Sequence, residues 1–179
     1  MLKRIKKRVL KLLYKRELHR KNKKPKSFKK IINNPPRISV IVDSNMEMKF
    51  SDFKFISEVF LIPMDQINFL WFNSDIWHDI PNHYHIGFED ISFFGNFNNT
   101  VSPFFEKEVD ILINAYREES LLLKYLSLRV NNSFSVGCNL NDIELNDFLF
   151  DYNPINNQNL TPEFSKYLKI IFDKQQQHK

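Results

Sequence analysis

One cysteine, Cys138, and three glycines, Gly87, Gly95 and Gly137, are all that 179 residues contain of either type. A single thiol cannot close an internal disulfide, so the stapled framework of a small secreted domain is excluded and a reducing cytoplasm is the expected compartment. Glycine falls far below its usual share of about 7%. Nucleotide-binding α/β proteins place glycine where backbone approaches phosphate, yet the turn after the first predicted strand reads Asp43, Ser44, Asn45, Met46. There is no P-loop, no GxGxxG and no GxSxG elbow. No cofactor is therefore expected, and attachment is favoured over enzymatic chemistry. No apolar run approaches the roughly 18 residues of a membrane span, and none follows the first charges as it would in a secretory signal.

Acidic residues are also missing from one region. The first thirty residues hold a single acid, Glu17, against fifteen bases: Lys3, Arg4, Lys6, Lys7, Arg8, Lys11, Lys15, Arg16, Arg20, Lys21, Lys23, Lys24, Lys26, Lys29 and Lys30. The whole chain has 26 bases and 21 acids, so the remaining residues carry 11 bases and 20 acids, and the overall +5 hides a +14 arm joined to a −9 body. Abundant Asn, Lys, Ile and Phe suggest an AT-rich coding sequence, which raises Lys everywhere. It does not explain why acids avoid the first thirty residues. Such asymmetry points to a polyanion met by the N-terminus.

The pattern of apolar residues predicts a basic amphipathic helix over 2–20, with Leu2, Ile5, Val9, Leu12, Leu13 and Leu18 as its stripe and 21–24 as a cationic end before Pro25. Like charges at i, i+4, such as Lys3 with Lys7 and Lys7 with Lys11, destabilise an isolated helix by a few tenths of a kcal/mol each. The helix therefore needs an apolar partner or anions. Residues 1–30 form this arm, 31–36 with Asn33, Asn34, Pro35 and Pro36 a hinge, 37–174 the folded domain and 175–179 a disordered tail. Within the domain, 37–42 (RISVIV) and 67–72 (INFLWF) read as strands, and 50–60 has apolar residues at helical spacing. Residues 73–90 read as a polar loop and 91–94 as a short strand closed by Gly95. The clearest unit is strand 109–115, helix 118–130 and strand 133–137, the size of a βαβ crossover. Strand 145–150 and a C-terminal helix capped by Thr161 and Pro162 follow. The expected fold is a single Rossmann-like α/β domain of three layers with a mainly parallel sheet, preceded by the basic helix.

Candidate chemistry is sparse. The loop 77–90 gathers Trp77, His78, Asp79, His83, Tyr84, His85, Glu89 and Asp90. His83 and His85 would face one side of an extended strand, and with His78 they are weak candidates for three zinc nitrogens. That spacing matches no common structural zinc site, so a polar surface loop is the plainer expectation. Asp43 ends a strand, where open α/β sheets place ligands, and an enzymatic reading would combine it with Asn114 and the histidine loop. Asp142, Glu144, Asp147 and Asp151 could do acid–base work only if they converge. Cys138 has no neighbouring base to activate it and reads as inert. Phe69, Trp71 and Phe72 could stack on bases but lie in a run that reads as core.

The stretch 104–137 (FFEKEVDILINAYREESLLLKYLSLRVNNSFSVG) resembles an uncharacterised family of short Bacteroidota proteins that join a basic helix to a small α/β domain. Trp71-Phe72, Phe93-Phe94-Gly95 and the FSKYL run at 164–168 carry the same resemblance, which implies a fold and no activity. A local likeness of about thirty residues to one segment of heptosyltransferases implies a Rossmann-like strand–helix–strand only. The functional expectation is a cytoplasmic, non-enzymatic protein whose fifteen-base arm binds RNA or a ribonucleoprotein such as the ribosome. The acidic body would then face a protein partner or solvent. The alternatives are an anionic membrane surface met by the same helix, and an arm folded back on its own domain.

Overall fold

The computed structural model describes residues 2–23, 35–46, 48–72, 81–116, 120–138, 144–149, 162, 166 and 167. Most of the expected hinge and C-terminal helix, and the whole tail, lie outside these; Pro35 and Pro36 are described, and Pro162, Lys166 and Tyr167 are helical.

The β-branched and aromatic runs become the sheet. Ile38–Asp43 (β1), Asn68–Phe72 (β2) and Val109–Ala115 (β4) are buried at every position, as expected of central parallel strands covered on both faces. Asn132–Gly137 (β5) pairs with β4, and the two-residue Phe148–Leu149 (β6) closes that edge. The segment expected as a polar loop contains the opposite edge strand, His83–Ile86 (β3), parallel to β2. All pairings are parallel, and the order is β3-β2-β1-β4-β5-β6. That is the order of a doubly wound, Rossmann-like sheet, with its switch point between β1 and β4.

The helices occupy two layers. After β1, a 3-10 turn at Phe50–Phe53 runs into Lys54–Phe60 (α2). Phe53 packs edge-on against Phe69 and Trp71 at ring distances of 5.4 and 6.2 Å. Phe69 is paired with Val40, whereas Asn114 is paired with the next residue, Ile41. Adjacent strand residues point to opposite faces, so Asn114 faces away from α2. On that side it meets Leu121–Arg129 (α4), whose Ser120 caps the amino end by accepting the Leu123 N–H. The short helix Ser102–Glu106 (α3) lies on the same side, with Phe104 against Tyr84. The basic helix, Leu2–Lys23 (α1), packs on α4.

Two further details differ from expectation. Residues 91–94 do not form a strand; Ile91 makes an isolated antiparallel bridge to Phe97 around a tight turn. Strand β6 starts later than expected, since Leu145 and Asn146 are buried in a turn and do not join the ladder.

The amino end of the sheet is pinned by charge. Asp110, buried, accepts the Arg37 backbone N–H at 2.8 Å and its Nε and Nη2 at 3.2 Å, while Glu108 takes Nη1 at 3.2 Å. Hydrogen bonding to Asp110 raises the guanidinium pKa above its already high value, so Arg37 keeps its charge at any ordinary pH. Lys107 Nζ donates to Asn68 Oδ1, Asn82 Oδ1 and Tyr84 Oη at 2.8, 3.0 and 3.2 Å, tying β2 and β3 to the start of β4.

Candidate functional site

Helix α1 divides its residues sharply. Leu10 and Leu13 are buried, Val9, Tyr14, Leu18 and Lys21 half-buried, and Glu17 is only 6% exposed. Residues 10, 13, 17 and 21 follow the 3.6-residue period, so they form the inward line. Leu12, expected in the apolar stripe, is instead 68% exposed, because it lies off that line. The inward carboxylate of Glu17 pairs with Arg20 at 2.9 Å and Arg16 at 3.4 Å. Lys21 Nζ donates to the carbonyl of Leu145 at 2.6 Å. The only acid of the basic segment is thus paired within its own helix, while Lys21 ties that helix to the segment before β6.

What remains faces out. Lys7, Arg8, Lys11, Lys15, Arg16 and Arg20 are exposed, together with His19 and Asn22. At 1.5 Å per residue, positions 7–20 span about 20 Å. Lys3, Arg4 and Lys6 extend the same helix, Lys23 ends it, and Lys24, Lys26, Lys29 and Lys30 lie outside the described residues. The result is a cationic ridge whose underside belongs to the core shared with β1, β4 and α4. Its signal in the sequence was the charge run; the inward role of Glu17 could be found only from its spacing to Leu10 and Leu13.

Several of the other candidates have local partners within the fold. His83 and His85 share one side of β3, as alternation requires, and pair in register with Phe69 and Trp71. The His83 ring lies 4.8 Å from Phe50 and 5.0 Å from Phe69, within an aromatic cluster. Trp77, His78 and Asp79 lie outside the described residues, among which no three His, Cys, Asp or Glu side chains gather as metal ligands. Tyr84 serves the Lys107 pin. Asp90 accepts the Gly87 N–H at 2.7 Å and bonds Asn98, while Glu89 is exposed.

At the carboxyl end of β1, Asp43 is buried and accepts both the backbone N–H and the side-chain amide of Asn45, at 3.0 and 2.8 Å. It closes its own turn. Asn114 belongs to a buried network on the α4 side: its Nδ2 donates to Asn146 Oδ1 at 2.7 Å, and its Oδ1 accepts from Ser127 Oγ at 2.8 Å. Ser127 Oγ also meets Tyr116 Oη at 2.8 Å. The structure therefore gives Asp43, Asn114 and His83 separate local partners. Asp147 binds the backbone N–H and hydroxyl of Ser135 at 2.8 and 2.9 Å, Glu144 is exposed, and Asp142 and Asp151 lie outside the described residues. Phe69, Trp71 and Phe72 are core, not a stacking surface. Cys138 is buried, and that burial pushes its thiol pKa up, away from a reactive thiolate.

No described helix is long and apolar enough to cross a membrane. Comparison with curated proteins and with solved structures gives no match. A family model covers residues 3–171, from the basic helix to the C-terminal segment, and the chain belongs to DUF6913, a family of unknown function.

Proposed function

We propose that this protein is a non-enzymatic attachment factor that binds RNA, alone or within a ribonucleoprotein such as the ribosome, through the outward face of α1. The observation that carries this reading is the division of that helix. Leu10, Leu13 and its only acid, Glu17, are turned inward, and six Lys and Arg side chains are turned outward. Repulsion along such a ridge is relieved by phosphates. Because the helix is seated on α4, the ridge is held in place before binding and the cost of ordering it is reduced. The acidic remainder of the chain repels phosphate, which confines RNA to this layer and leaves other surfaces for a protein partner. A buried free thiol fits a reducing cytoplasm.

One observation favours a second reading, attachment to an anionic membrane: Leu12 projects at 68% exposure among the cations. Sedimentation with vesicles, with and without anionic lipid, separates the two. Binding to anionic vesicles without binding to RNA reverses the proposal.

The test of the RNA reading compares charge reversals on the two helical layers. Lys11→Glu combined with Lys15→Glu is expected to weaken RNA binding by at least about tenfold at low salt. Lys54→Glu, an exposed site on α2 across the sheet, is expected to change it little. Equal effects from both layers, or none from either, would refute the assignment to α1.

A further inference from the structure

Beside α1 the chain makes a small hairpin that bears no charge. Ile91 and Phe97 form its antiparallel bridge, Ser92 N–H donates to Asn96 O at 2.9 Å, and Gly95 N–H donates to Ser92 O at 3.0 Å. Gly95, at φ 81°, supplies the left-handed residue that ends a three-residue hairpin loop. Phe93 and Phe94 form the tip. The tip is clamped from beneath, since Gly95 O accepts from Tyr125 Oη at 3.0 Å and from Arg129 Nη1 at 2.9 Å, both on α4. The Arg129 guanidinium lies 5.1 Å from the Phe97 ring. A Cβ at Gly95 would collide with the Tyr125 hydroxyl and lie 3.1 Å from Leu13 Cδ1 of α1.

The hairpin is thus seated against both helices, yet it displays its aromatic rings. Phe94 is 81% exposed, Phe88 51% and Phe93 45%. With Leu12 they make four of the six large hydrophobic side chains exposed among the described residues, gathered around the basic helix. A shallow apolar crevice separates the two walls, with Val9 and Leu13 on α1 and Phe88 and Phe93 opposite. On the helix, Val9, Leu12, Leu13 and Arg16 fall at i, i+3, i+4 and i+7, so Leu12 and Arg16 follow Val9 and Leu13 along one side of α1. The nearby exposed carboxylate, Glu89, precedes the hairpin and is not part of it.

We infer that this hairpin is a stacking platform for the unpaired bases of single-stranded RNA, an inference that rests on the RNA reading of α1. Bases lie on the Phe93 and Phe94 rings while phosphates follow the α1 cations, the pairing of aromatic faces with a cationic track that single-strand binders use. A duplex keeps its base faces covered and offers the ridge phosphates alone.

The test uses the full chain and fluorescence anisotropy, with a short labelled oligouridylate and an RNA duplex of equal length. Each stacked base contributes roughly five- to a hundredfold in affinity, so the single strand is expected to bind at least about tenfold more tightly than the duplex. Phe93→Ala with Phe94→Ala is expected to erase that preference and leave duplex binding unchanged. Thermal melting confirms that the variant is folded, since both rings lie at the surface. Introducing Phe94→Trp gives a second readout, emission quenched by the oligouridylate beyond any change in the parent. Equal binding of strand and duplex, unaltered by the phenylalanine substitutions, overturns this inference while the α1 reading stands. Failure of the parent to bind either RNA overturns both. Loss of binding to phosphatidylserine vesicles in the phenylalanine variant, without any single-strand preference in the parent, assigns the tip to lipid and overturns the inference.

Discussion

Replacing Leu13 by alanine tests the seating of α1 on the domain. Leu13 is 8% exposed, faces Leu122 of α4 and Ile91 of the hairpin, and joins the same core cluster as Ile41 and Phe69. Truncating a buried leucine costs about 2–5 kcal/mol, least where neighbours can settle into the space. The crevice beside Leu13 allows such settling, so about 2–3 kcal/mol is expected. For a chain of this size each kcal/mol lowers the Tm by about 2–4 °C, which gives a fall of about 4–12 °C. Leu12→Ala makes the same chemical change one residue earlier, on a side chain 68% exposed. It is expected to stay within about 0.5 kcal/mol of the parent. Helix propensity changes equally in both variants and cancels in the comparison. Melting of the full chain followed by far-ultraviolet circular dichroism reads both. Equal shifts at the two positions, or no shift at Leu13, would show that α1 is not held by the line through Leu10, Leu13 and Glu17.

Two other outcomes follow from the geometry. Gly95→Ala places a methyl group against the Tyr125 hydroxyl and Leu13 at a positive φ, so it should destabilise by about 1–3 kcal/mol in urea unfolding. A neutral result would mean that the hairpin is not clamped. Ser127→Ala removes the hydroxyl that joins Asn114 to Tyr116 and should cost about 1–3 kcal/mol by leaving buried polar atoms short of a partner. Unchanged stability would show that the network is hydrated.

The docked helix also changes how the basic segment can be studied. Leu10 and Leu13 belong to the domain's core, so deleting residues 1–30 would strip α4 and the hairpin of cover. Loss of RNA binding in a truncated chain would then reflect unfolding as readily as loss of cations. Surface substitutions on α1 avoid that ambiguity.

The central strands were legible because β1, β2 and β4 are buried on both faces and therefore continuous in apolar residues. The β4–α4–β5 unit was legible from a buried strand, a leucine-rich helical run and a second apolar strand in succession, although the helix begins at Leu121 after the Ser120 cap. Strand β3 was not, because HYHI at a sheet edge is half-buried and lacks the β-branched run of a central strand. Its histidines looked like ligands in the sequence, whereas His83 fills a space among Phe50 and Phe69. The hairpin had a readable signal, a pair of phenylalanines ahead of a lone glycine between polar residues. The expectation of a strand closed by Gly95 took the right glycine and the wrong backbone. On α1 the period predicts a stripe, but with Leu10, Leu12 and Leu13 all apolar it does not separate them, and packing buries Leu10 and Leu13 while Leu12 is exposed. The inward line also includes a carboxylate, Glu17, whose one signal in the sequence is its spacing to Leu10 and Leu13.

The central claim is that the outward cations of α1 form the surface that meets RNA phosphates. Its most direct measurement is the affinity of the full chain for oligouridylate as a function of salt. Each phosphate contact on a single strand contributes about −0.7 to the slope of log K against log salt. Four to six of the exposed α1 cations in contact give a slope of about −3 to −4, and reversing Lys11 and Lys15 should flatten it by about 1.4. A slope near zero in the parent, or one that these reversals leave unchanged, would contradict the account.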